Sequence, residues 1–123
     1  MGYTTTFAGC LRIDPPLKWE QRDEVNQFCS EDHRTAGFPG IWCDWQVNEA
    51  GDRIGWNENE KSYEMAAWIR YLIQTRFSPW GRKLNGRVLA EGEERNDVWL
   101  LMVTENVVST AAVPPPNLPS VTE

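Results

Sequence analysis

Apolar and polar positions alternate over residues 3–13. Tyr3, Thr5, Phe7, Leu11 and Ile13 share one face, and Thr4, Thr6, Ala8 and Arg12 the other. A period of two predicts a half-buried strand. Asp14-Pro15-Pro16 stops it, because proline donates no ladder hydrogen bond. Over 17–31 the period lengthens. Val25, Phe28 and Cys29 form a short i, i+3, i+4 stripe, and Glu20, Asp23 and Glu24 crowd its start, where negative charge suits the helix dipole. Glu31 to Gly40 reads as a loop from its Gly and Pro. Alternation returns over 41–47, with Ile41, Cys43, Trp45 and Val47 on one face and Trp42, Asp44 and Gln46 on the other. Asn48 to Asp52 is turn chemistry, and Arg53 to Trp56 is the return strand of a hairpin.

The strongest helical pattern spans 59–77. Asn57 or Asn59 is the candidate cap, and Met65, Trp68, Ile69, Leu72 and Ile73 repeat at three and four. Ser78-Pro79 ends it. Strands follow at 83–91 and at 97–104; the second is apolar on both faces and so expected to be the most buried. Glu105-Asn106 turns the chain, and Val107-Val108 adds a few paired residues.

The order β-α-β-β-α-β-β predicts an α+β fold: a mostly antiparallel sheet with two helices on one face, a relative of the ferredoxin-like arrangement. One domain is expected over residues 1–109. Residues 110–123 hold Pro114-Pro115-Pro116 and read as a mobile Pro-rich tail.

Composition narrows function mainly by exclusion. The chain has 123 residues and a net charge of −6. Such acidity disfavours nucleic-acid and anionic-membrane binding. No apolar run approaches a membrane span of about 20 residues. The first residues carry no basic–apolar leader pattern, so a cytoplasmic product is expected. The three cysteines, Cys10, Cys29 and Cys43, are expected to be reduced and buried. His33 is the single histidine, so no zinc-site pattern can be built, and no phosphate-binding glycine motif is present. No metal or cofactor is expected.

Two catalytic arrangements are formally available. One pairs His33, read as an exposed loop residue, with a cysteine such as Cys29. The other uses Glu58, Glu60 and Glu64 as paired acids. A helix-start acid cluster follows from the dipole alone, so a non-enzyme is the preferred reading. The charge is uneven: Arg70, Arg76, Arg82, Lys83 and Arg87 against Glu64 make residues 62–90 a strip of +4. Of the seven tryptophans, Trp68 and Trp99 have core periodicity, Trp19 opens a helix and Trp45 faces inward. Trp42, Trp56 and Trp80 are left as surface candidates.

Several segments occur together: Gly2-Tyr3-Thr4-Thr5, Pro39-Gly40-Ile41-Trp42-Cys43-Asp44-Trp45, Pro79-Trp80-Gly81 and Leu84-Asn85-Gly86-Arg87-Val88. As a set over residues 2–108 they resemble a family of small bacteriophage and prophage accessory proteins. The resemblance implies a context, the bacterial host cytoplasm, rather than an activity. In that context the expected function is non-catalytic binding to a host protein. The alternatives are a small-nucleotide sponge and an acidic DNA mimic. The recognition residues expected are Trp42, Trp56, Glu60, Lys61, Trp80 and Arg82. An exposed edge strand leaves homodimerisation open.

Overall fold

The computed structural model describes residues 4–59 and 61–113. Its elements are β1 (Thr6–Asp14), α1 (Trp19–Cys29), β2 (Trp45–Val47), β3 (Arg53–Trp56), α2 (Met65–Leu72), β4 (Lys83–Glu91), β5 (Val98–Thr104) and β6 (Val107–Ala112). They form one antiparallel sheet in the order β2-β3-β1-β4-β5-β6. The fold is α+β. Its first four strands have the ferredoxin-like order, and the β5–β6 hairpin extends the sheet beside β4.

Register explains the two faces. Leu11 pairs with Ile54 on one side and Gly86 on the other, and Val88 pairs with Leu101. These positions face the helices, with Val25 of α1 and Trp68, Ile69 and Leu72 of α2 closing the core. Every second residue therefore leaves the core. On β5 this gives buried Leu101 and Val103 beside half-buried Leu100 and Met102. The expectation that this strand is the most buried fails for that reason: its second face has no layer above it.

Several boundaries differ from the sequence reading. The strand expected over 41–47 is paired only over Trp45–Val47. Cys43, Asp44 and Trp45 are buried in succession, which alternation forbids. The helix expected over 59–77 starts at Met65, after Glu64 in a left-handed conformation (φ 58°). Asn57 and Asn59 do not cap it; their amides turn to Asp44. Past Leu72 the helix widens into a π turn, Ile73–Phe77, closed by Ser78 N–H on the Ile73 carbonyl at 2.9 Å. The Thr75 hydroxyl donates to the Tyr71 carbonyl at 2.8 Å, the acceptor an α-helix would give to Thr75 N–H. β6 is longer than the two valines expected and takes in Ala111 and Ala112. Residues 114–123, the rest of the expected tail, lie outside the described residues.

His33 is not the exposed loop residue expected; it is 8% exposed. Its ring stacks on Phe28 at 4.0 Å, and its Nε2–H donates to the Phe28 carbonyl at 2.7 Å. Phe38, Trp68 and Tyr71 complete this aromatic cluster, and the Arg76 guanidinium lies 4.2 Å from the Phe28 ring centre. The loop from Glu31 to Gly40 thus contributes core.

Side chains from both helices meet the ends of the sheet. Asn26 of α1 accepts from Val47 N–H at 2.8 Å and donates to Val47 C=O at 3.0 Å, imitating a neighbouring strand. Arg70 of α2 reaches the Val108 carbonyl of β6 at 3.5 Å.

Candidate functional site

The site is built where the chain leaves the aromatic cluster and enters β2. His33 N–H donates to the Ile41 carbonyl at 2.7 Å, fixing the backbone there. Two residues on, Cys43 is fully buried with its Sγ 3.1 Å from that of Cys29. Trp45 is buried too, its indole N–H donating to the Met65 carbonyl at 2.9 Å. The chain is held at both ends, and Ile41 and Trp42 are left at its outer crest, with Trp42 48% exposed.

Asp44 forms the floor and is 2% exposed. Its Oδ1 accepts from Asn59 Nδ2 at 2.6 Å and from Asn57 Nδ2 at 3.4 Å, and its carbonyl accepts from Asn57 N–H at 3.1 Å. A carboxylate leaves water only when such donors replace the lost hydration. The opposite rim is Lys61 to Tyr63. Ser62 anchors it, accepting from the Trp56 indole N–H at 2.8 Å and donating to the Asn59 carbonyl at 3.1 Å. Tyr63 is 65% exposed. Gly40, Ile41, Trp42, Asp44, Lys61 and Tyr63 line a cleft of about 310 Å³. That lies at the small end of ligand-pocket sizes.

The six residues singled out in the sequence divide. Trp42 and Lys61 line the cleft. Trp56 is half-buried against Phe7, 5.4 Å away, and holds the rim through Ser62. Trp80 and Arg82 sit beyond the far end of α2. Trp80 is half-buried, edge-on to Phe77 at 6.4 Å, and Arg82 donates to the carbonyls of Trp80 (2.7 Å) and Pro16 (3.1 Å). Glu60 lies outside the described residues. Sequence reasoning missed Ile41, Tyr63 and Asp44: a strand from 41 to 47 would turn Ile41 inward and Asp44 outward.

The strip of +4 does not survive folding as one surface. Arg70 reaches β6, Arg76 covers Phe28 and Arg82 binds backbone carbonyls. The thiols also part from expectation, because Cys10 is exposed while Cys29 and Cys43 are buried. The hydrogen-bonding contact with Cys29, together with burial, pushes the Cys43 thiol far above the ordinary range, so it stays protonated. His33 bonds Phe28, and Cys29 meets Cys43. Among the described residues no three His, Cys, Asp or Glu side chains gather as a metal ion would need.

A larger cleft of about 410 Å³ lies between the start of α2 and β6. It is lined by alanines and Thr110 with Glu64, Met65 and Trp99, and no buried polar side chain opens into it. The 310 Å³ cleft is smaller, but combines exposed aromatics with a buried carboxylate.

Comparison with known proteins finds no match: no family model, no curated protein and no solved structure aligns with the chain.

Proposed function

We propose that this chain is a non-catalytic binding protein that engages a partner protein through the Trp42 cleft. One observation carries the reading: Ile41, Trp42 and Tyr63 are large, exposed and gathered around one concavity. Water-exposed aromatics beside a pocket are the usual anchors of protein interfaces. The Asp44 carboxylate in the same cleft can only accept hydrogen bonds, so the partner group that enters has a donor, such as a lysine, arginine or backbone N–H. In the phage-accessory context that the sequence resembles, the partner is a host protein. A nucleotide sponge is less well supported, because Arg82 and Trp80 lie away from the cleft and a buried carboxylate opposes phosphate.

Quantitative capture from bacterial lysate tests this. Wild-type protein should retain a stoichiometric partner that Trp42→Ala or Tyr63→Ala loses. An interface anchor is worth about 2 kcal/mol or more, roughly a 30-fold loss of affinity. Trp19→Ala, which alters an exposed tryptophan on α1, should retain it. Equal capture by all four proteins would refute the cleft as the binding surface.

A further inference from the structure

The face of the sheet away from the helices carries a second surface, independent of the cleft. Cross-strand pairing assembles it. Arg12 of β1 lies directly opposite Arg53 of β3, and on its other side β4 brings Arg87 opposite Cys10 and Lys83 opposite Asp14. Side chains two apart on a strand share a face, so all four cations project on this side. All four are exposed, and among the described residues Arg12, Arg53 and Arg87 have no ion-pair partner. Like charges placed directly opposite on neighbouring strands cost stability. The chain carries −6 overall, yet keeps three unpaired arginines together at the middle of this face. Acids stand at its ends, Glu91 at one and Asp14 and Glu105 at the other.

An apolar row borders the arginines. Ala8 pairs with Leu89, Leu89 with Leu100 and Leu100 with Ala111, and Met102 lies next to Arg87. No helix covers these side chains.

We infer that this open face docks an acidic amphipathic segment of a partner protein. Its apolar side chains lie along the Ala8–Leu89–Leu100 row, and its carboxylates pair with Arg12, Arg53 and Arg87. Charge complementarity selects this occupant. A second copy laid face to face would set arginines against arginines. Single-stranded nucleic acid needs aromatic platforms, and among the described residues this face has none: Phe7, Trp56 and Trp99 point to the helix side.

Panning a random 16-residue peptide library on the full chain, and on the triple variant Arg12→Gln, Arg53→Gln, Arg87→Gln, tests the inference. The substituted side chains are exposed, so circular dichroism should match the wild type and confirm the variant's fold. Peptides selected on the wild type should be rich in Asp and Glu, with apolar residues three and four apart. They should bind the triple variant at least tenfold more weakly and the Trp42→Ala protein equally well. Selection of peptides without acidic excess, equal binding to the triple variant, or no selection at all would overturn it. So would a wild-type dimer abolished by the triple variant, or tighter binding of a 20-nucleotide thymidine oligomer than of any peptide.

Discussion

Asn106 shows how much one side chain can carry. It sits at φ 71°, in the left-handed region that asparagine tolerates better than most residues. Its Oδ1 accepts from Leu84 N–H at 2.7 Å, and its Nδ2 donates to the Arg82 carbonyl at 2.8 Å. The β5–β6 turn is thereby pinned to the start of β4. Asn106→Ala should destabilise the fold by about 1–3 kcal/mol, because both backbone groups lose a partner and alanine resists the conformation; the midpoint of urea unfolding measures it. The sequence marks Asn106 as a turn residue, but nothing local tells that its amide bonds residues 22 and 24 positions earlier. The same holds at the cleft. Trp42 is legible as an outward tryptophan from alternation alone. Asp44 is not, because its burial depends on Asn57 and Asn59, donors from beyond the β2–β3 hairpin.

At the scale of elements, the sequence marks that an element exists better than where it ends, for strands (β2, β6) as for helices. The span of β4 agrees to the residue, because Lys83 to Glu91 is bounded by Ser78-Pro79 and Gly81 before it and by the charged turn from Gly92 to Asn96 after it. The sequence places the start of α2 too early, because Asn57, Glu58 and Asn59 have the composition of a helix start, whereas the helix begins after a left-handed Glu64. Propensity cannot distinguish asparagines that cap a helix from asparagines that solvate a buried carboxylate. Glycines also shape the sheet. Gly86 of β4 has φ 145°, and a Cβ there would lie 2.8 Å from the Cys10 carbonyl oxygen and 3.2 Å from Leu11 Cα. Both obstacles are backbone of the central strand. Gly86→Ala should therefore cost about 1–3 kcal/mol and weaken the β1–β4 pairing. Thermal unfolding with amide exchange of β1 reads both effects, and an unchanged melting temperature would contradict the close approach.

The whole molecule separates one accessible thiol from two enclosed ones. Cys10 lies on the open face; Cys29 and Cys43 are under α1 and the crest of the cleft. Native protein should react promptly with one equivalent of an aromatic disulfide reagent. The other two thiols should appear only in denaturant, because both are buried away from the reagent, and the Cys29 contact and burial also hold the Cys43 thiol neutral. Three fast equivalents in buffer would show that the cleft crest opens freely. Charge is likewise a property of the fold rather than of the chain. The run of cations between residues 62 and 90 disperses, and the patch that forms instead joins Arg12, Arg53 and Arg87 from three strands. A linear scan sums neighbours in sequence and misses neighbours in register.

Asn26 and Arg70 have a consequence for the growth of aggregates. Strand addition needs free backbone groups at a sheet edge. At one end, α1 already occupies both backbone groups of Val47; at the other, α2 reaches the Val108 carbonyl. A helix side chain therefore closes the β2 edge at Val47, whereas the β6 edge meets one at the Val108 carbonyl alone. To recruit another strand at Val47 or Val108, the chain must first withdraw a helix side chain from that edge. At the β2 edge the barrier to strand addition is then set by local undocking of α1, which can occur well short of global unfolding.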